Sequence, residues 1–132
     1  MAIKDAPTKV IDDGGQEYDP TDVVGYMENT YPEMTSEFKK IQRDQYELFC
    51  KKQYDYGPQN IAVGTILKTP EDIKLSLLGI WFRMNDKIER MKTLLMRNGE
   101  NSVEGEPVTD SFSDVSNYGV MAQVVARGKW AK

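Results

Sequence analysis

Asp86 and Glu89, three residues apart, and Asp110 and Asp114, four apart, are the groups in this chain best placed by type and spacing to do chemistry. Residues three or four apart on an α-helix share a face, so each pair would project two carboxylates in one direction. Two such helices side by side would gather four carboxylates. Mutually repelling anions are costly to hold together unless a cation sits between them. Mg²⁺, a hard cation that prefers oxygen ligands, suits such a cluster. Asp86, Glu89, Asp110 and Asp114 are therefore the candidate metal ligands and catalytic residues. A Mg²⁺ ion held there could bridge phosphate oxygens and position a water as nucleophile, with no separate general base in view. The bland reading of the same acids is that those near helix starts complement the dipole and those in mid-helix pair with Lys or Arg. With no His and a single Cys, the chain lacks the parts for a His-based zinc site, a Ser-His-Asp triad or a Cys-His pair.

Three further groups could hold a substrate. Lys52, Tyr54, Tyr56 and Asn60 fall within Lys52-Gln53-Tyr54-Asp55-Tyr56-Gly57-Pro58-Gln59-Asn60. The tyrosines could stack on a base and the amide of Asn60 could bond its edge; structurally, the segment reads as a helix end followed by a turn. Arg83, Lys87 and Arg90 could clamp phosphates or neutralise Asp86 and Glu89. Asn117 shares a helix face with Asp114 and is a candidate substrate contact. Glu47 could supply another ligand.

These residues need helices to position them. Glu33, just after Thr30-Tyr31-Pro32, opens a helix over 33–54, with Phe38, Ile41, Leu48 and Phe49 at helical spacing. Residues 59–68 read as a loop or short irregular segment. Thr69-Pro70-Glu71-Asp72 is a strong helix start, and Asn98-Gly99 ends that helix. Leu77, Trp81, Met84, Ile88, Met91 and Leu95 form a stripe along it, while Leu75, Leu78 and Phe82 add a second apolar side. That combination predicts a central, buried helix. A third helix follows Pro107 over 108–127, where Phe112, Val115, Gly119, Ala122 and Ala126 form one face and the small residues would admit a close neighbour. The expected fold is all-α, a bundle of three to five helices completed by dimerisation.

Length and composition fit that expectation. A chain of 132 residues, 39% hydrophobic and 29% charged, suits one soluble globular domain, residues 30–132, preceded by a flexible arm over 1–29. The net charge of −4 disfavours direct nucleic-acid binding. A lone Cys50 fits a reducing, cytoplasmic compartment, and no apolar run reaches membrane-span length.

Tyr54-Asp55-Tyr56-Gly57 with Asn60, the run from Arg83 to Arg90, and the run from Asp110 to Tyr118 together resemble a phage-associated family of nucleotide-modification-associated domains. The resemblance spans roughly residues 38–126. More distantly, the pattern is similar to the MazG-like and dimeric dUTPase group of all-α nucleoside triphosphate pyrophosphohydrolases. Enzymes of that group bind Mg²⁺ with Glu-x-x-Glu on one helix and Glu-x-x-Asp on a later one. Here Asp86 stands in the place of the first Glu, and the second pair is spaced by four. The resemblance implies a Mg²⁺-dependent nucleotide or deoxynucleotide hydrolase in the cytoplasm of a phage host. The departures leave room for a non-catalytic nucleotide-binding module, or for a helical interaction protein whose N-terminal arm docks on a partner.

Overall fold

The computed structural model describes residues 10–97 and 104–132. In chain order it contains β1 (Val10–Ile11), β2 (Glu17–Tyr18), α1 (Val23–Thr30), α2 (Pro32–Tyr56), α3 (Gln59–Ala62), α4 (Pro70–Met96) and α5 (Val108–Ala126). The described residues are thus mostly helical, with one small antiparallel hairpin. The helix terminator expected at 98–99 lies outside the described residues. No helix among those described is long and apolar enough to cross a membrane. Internal contacts divide the chain into two units, Met1–Asp44 and Gln45–Lys132, and the division falls inside α2 rather than after residue 29.

In the first unit, the expected flexible arm is structured from residue 10 onward; residues 1–9 lie outside the description. Asp12 organises the hairpin turn. Its Oδ1 accepts from the backbone amides of Gly14 at 3.0 Å and Gln16 at 2.8 Å, and its Oδ2 accepts from the Tyr26 hydroxyl at 2.7 Å. The strands pair Val10 with Tyr18 and Ile11 with Glu17. Asp22 caps α1 by accepting from Gly25 N at 2.9 Å. A Cβ at position 25 would lie 2.2 Å from Asp22 Oδ2, so any larger residue than Gly25 would displace the capping carboxylate.

The Tyr26 hydroxyl, then the Gln16 amide, hold the Asp12 carboxyl below its ordinary pKa, against a smaller opposing effect of burial. The same bond raises the Tyr26 pKa. A lowered carboxylate value contributes stability present above the unfolded Asp pKa and lost as the pH falls through the lowered value; a raised Tyr value makes the contact fail as the pH climbs through it. Replacing Tyr26 with Phe should move Asp12 back up toward its ordinary value, as read from its side-chain NMR titration.

The second unit is built on α4 and α5, which pack against each other, with α3 against α4. Thr69 Oγ1 accepts from Asp72 N at 3.1 Å, and Pro70 occupies the first turn, as the sequence predicts for α4. Gly57, at φ 78°, ends α2 and turns the chain into α3, a short helix where the sequence suggested a loop or short irregular segment. Ile61, Ile80, Met121, Val125 and Trp130 form the buried core, with Phe49, Leu77, Met84 and Tyr118 packed on it. Two polar bonds fasten α3 to this core. Ser76 Oγ donates to Ile61 O at 2.7 Å, and Trp130 Nε1 donates to Pro58 O at 2.8 Å.

Several expected core positions lie elsewhere. The buried line of α4 runs through Ser76 and Ile80, so Trp81 and Leu95 of the expected stripe are exposed. Leu75, Leu78 and Phe82 are exposed as well, so α4 is not enclosed on all sides. On α5 the buried residues are Ser111, Met121 and Val125, whereas Phe112 is half exposed and nothing lies within 4 Å of a Cβ built at Gly119. Along α2, Phe38, Ile41 and Leu48 are exposed and only Phe49 packs on the core. Trp130, just past the last expected helix, is buried in the core instead. Truncating Trp130 to Ala should lower the denaturation free energy of the protein by about 3–5 kcal/mol, while Trp130→Phe, which keeps most of the volume and loses the bond to Pro58, should cost about 1–2 kcal/mol. Urea melts followed by far-UV circular dichroism measure both.

Candidate functional site

Four helices line a cavity of about 530 Å³ in the second unit. The residues α4 contributes are Arg83, Asp86, Lys87 and Arg90, spaced three, four and seven from the first, which is one helical face. From α5 come Asp114, Asn117, Tyr118 and Met121 with the same spacing. The end of α2 provides Phe49, Lys52, Gln53 and Tyr56, and α3 provides Asn60. The volume lies within the range of small-molecule sites, and the lining mixes apolar walls with a few converging polar groups as such sites do.

Asp114 is the most heavily engaged of these groups. Its Oδ1 lies 3.1 Å from Lys52 Nζ and its Oδ2 lies 3.2 Å from Lys87 Nζ, with only 16% of the carboxylate side chain exposed. One carboxylate therefore ties α2, α4 and α5 together. Arg83 Nη2 donates to Asn60 Oδ1 at 3.2 Å, holding α3 beside α4. Arg90 is bonded too: Nη1 donates to the buried Ser111 hydroxyl at 2.6 Å, and Nη2 donates to the Glu106 carbonyl. That guanidinium fastens the chain entering α5, whose N-cap residue Pro107 makes no side-chain capping bond. Asn117 Nδ2 donates to Gln45 O at 3.2 Å.

Asp86 differs from Asp114. It is exposed and makes no ion pair or side-chain hydrogen bond among the described residues. Four cationic side chains (Lys52, Arg83, Lys87 and Arg90) face two carboxylates around the cavity, an excess of two positive charges in a chain of net charge −4. The local sign is thus opposite to that of the whole molecule.

The four carboxylates expected to converge do not share this cavity. Asp86 and Asp114 line it; Glu89 and Asp110 are exposed and outside it. Glu89 is turned about 60° around α4 from Asp86, away from α5. Asp110 is one turn, about 6 Å, before Asp114 and falls short of the cavity along the helix axis. Among the described residues no group of three or more Asp, Glu, Cys or His side chains could hold a metal ion. Two carboxylates are too few for an all-protein cage. They are the donor number with which Mg²⁺ commonly binds when substrate phosphates complete its coordination.

Of the other candidates, Tyr54 is 91% exposed and outside the cavity, and Glu47 pairs with Lys51 at 2.9 Å on the surface of α2. Sequence reasoning did not single out Phe49, Gln53, Tyr118 or Met121 as site residues. Gln53 Oε1 is buried without a hydrogen-bond partner among the described residues. A signal was available in the spacing: Phe49, Lys52, Gln53 and Tyr56 repeat on α2 the pattern of the other two helices.

No protein-family model, curated protein or solved structure matches the chain. What the site does must accordingly be argued from its own geometry. One consequence concerns Arg90. Its removal leaves a buried hydroxyl and an entering loop without their donor, so Arg90→Ala should destabilise the fold by about 1–3 kcal/mol. Arg90→Lys keeps the charge but not the two-armed geometry and should recover only part of that loss, as measured by chemical denaturation.

Proposed function

We propose that the cavity binds a nucleoside phosphate, entering as its Mg²⁺ complex. The observation that carries this reading is the concentration of Lys52, Arg83, Lys87 and Arg90 around one cavity in an acidic chain. Guanidinium and ammonium groups recognise phosphate oxygens by charge-assisted hydrogen bonds. Tyr56, Phe49 and Tyr118 offer aromatic surface for a base or sugar, and Asn60 and Asn117 offer amides for its polar edge. The resemblance of the Arg83–Arg90 and Asp110–Tyr118 runs to nucleotide-modification-associated domains supports the same ligand class, with deoxynucleotides the first to test.

Mg²⁺ bound to the phosphates would be held by Asp86, with Asp114 as a second ligand once phosphate draws Lys52 and Lys87 away from it. When bound, the ion would withdraw charge from the phosphates and favour water attack. The protein's own part is to orient the phosphates with its cations and the base with its aromatic and amide groups.

A second reading, hydrolysis of a phosphate anhydride, is favoured by one observation: Asp86 is an exposed carboxylate lining the cationic cavity and has no ion-pair partner among the described residues. Such a group can orient a water. The two readings separate by experiment. Titrating the protein with each deoxynucleoside triphosphate by calorimetry, with and without Mg²⁺, should give saturable binding that Lys52→Ala and Lys87→Ala each weaken by about tenfold. Ion-exchange chromatography of the same mixtures reports products. Binding without product leaves a nucleotide-binding module; product that Asp86→Asn removes while binding persists establishes the hydrolase. If no nucleotide binds at millimolar concentration, the proposal fails.

A further inference from the structure

Seven residues of α4 lie on one exposed seam: Glu71, Leu75, Leu78, Phe82, Asn85, Glu89 and Lys92. Their steps alternate between four and three, the spacing of a two-helix coiled-coil interface. Lys74 and Trp81 flank the seam and are exposed too. Leu75, Leu78, Trp81 and Phe82 retain between 44% and 64% of their accessible surface, a contiguous apolar patch on a helix otherwise bounded by core and cavity. Exposed patches of this kind mark interaction sites.

The order of charges along the seam selects the occupant. Consider a second copy of α4 laid antiparallel, with the two-fold axis between Trp81 and Phe82. Glu71 then faces Lys92 of the other copy, Lys74 faces Glu89, Leu78 faces Asn85, and Trp81 faces Phe82. Both charge pairs are of opposite sign, each occurs twice, and the apolar residues fall at the centre, where interface energy concentrates. A parallel pairing would instead set Glu71, Glu89 and Lys92 each against its own copy, so every charged position of the seam would be repulsive. We propose that the protein forms a two-fold homodimer through antiparallel pairing of α4 about Trp81 and Phe82. This arrangement gives Glu89 a partner across the interface, on the side of α4 away from the cavity, and it does not depend on the nucleotide reading.

Sedimentation equilibrium of the full chain tests the pairing. Wild type should be dimeric, and Phe82→Asp should be monomeric with an unchanged far-UV spectrum, since the residue is exposed. Lys92→Glu places two like-charged pairs in the interface and should raise the dimer dissociation constant by about tenfold at low salt. Adding Glu71→Lys to Lys92→Glu reverses both partners and should bring the constant back to within about threefold of wild type. A wild type that remains monomeric at about 100 µM, or a Lys92→Glu effect that Glu71→Lys does not reverse, overturns the proposal.

Discussion

A single carboxylate shared between two ammonium groups sets the geometry of the cavity. Asp114 sits on α5, and its two oxygens face Lys52 on α2 and Lys87 on α4. Each pair alone, half open to water, would contribute little. Shared, they fix the separation of three helices and keep the lysines pointed inward rather than out to solvent. Without the carboxylate, the cations around the cavity would repel one another and the lysines would swing to the surface. The arrangement also makes the lysines responsive: an anion of higher charge density than a carboxylate, such as a phosphate, competes for the same donors.

That sharing changes the meaning of the acidic residues from which the sequence argument starts. The spacing Asp-x-x-Glu and Asp-x-x-x-Asp places each pair broadly on one helix side, yet a cavity samples a narrower arc than a side does. On α4 that arc holds Asp86 and stops short of Glu89; on α5 it starts at Asp114 and misses Asp110 by a turn. Arg83, Lys87 and Arg90, open in the sequence to neutralising the acids or facing a ligand, line the cavity, where Lys87 also pairs with Asp114. The result is a cationic site containing two acids rather than a cluster of four acids.

How far the fold could be read in advance follows from where each signal resides. The start of α4 was legible because Thr69, Pro70, Glu71 and Asp72 act locally, through capping and the helix dipole. The extent of α5 was legible from Pro107 and the long uninterrupted run behind it. Which face of a helix is buried is a tertiary matter, and hydrophobicity alone misassigned it: Trp81 and Phe112 face solvent, while Ser76 and Ser111 are buried. Both serines are buried because their hydroxyls are satisfied, Ser76 by Ile61 O and Ser111 by Arg90. Trp130 could not be placed from the sequence, since its role depends on Pro58 lying within reach, seventy-two residues earlier in the chain. The hairpin at Val10–Tyr18 lay within the expected arm and carried no strand signal, because two-residue strands show no usable alternation.

These points meet on α4, which divides its circumference among three environments. Ser76, Ile80 and Met84 face the core; Arg83, Asp86, Lys87 and Arg90 face the cavity; Leu75, Leu78 and Phe82 face outward. A helix apolar on two sides satisfies only one of them within the core of the unit it belongs to. The second apolar side then needs another explanation, and the alternation of charge along it, Glu71 and Lys74 before the hydrophobic centre, Glu89 and Lys92 after it, is of a kind that solubility alone does not require. Core packing fixes the rotation of the helix. Once that rotation is set, Asp86 must point to the cavity and Glu89 cannot, so two acids that look like one motif in the sequence belong to two different surfaces.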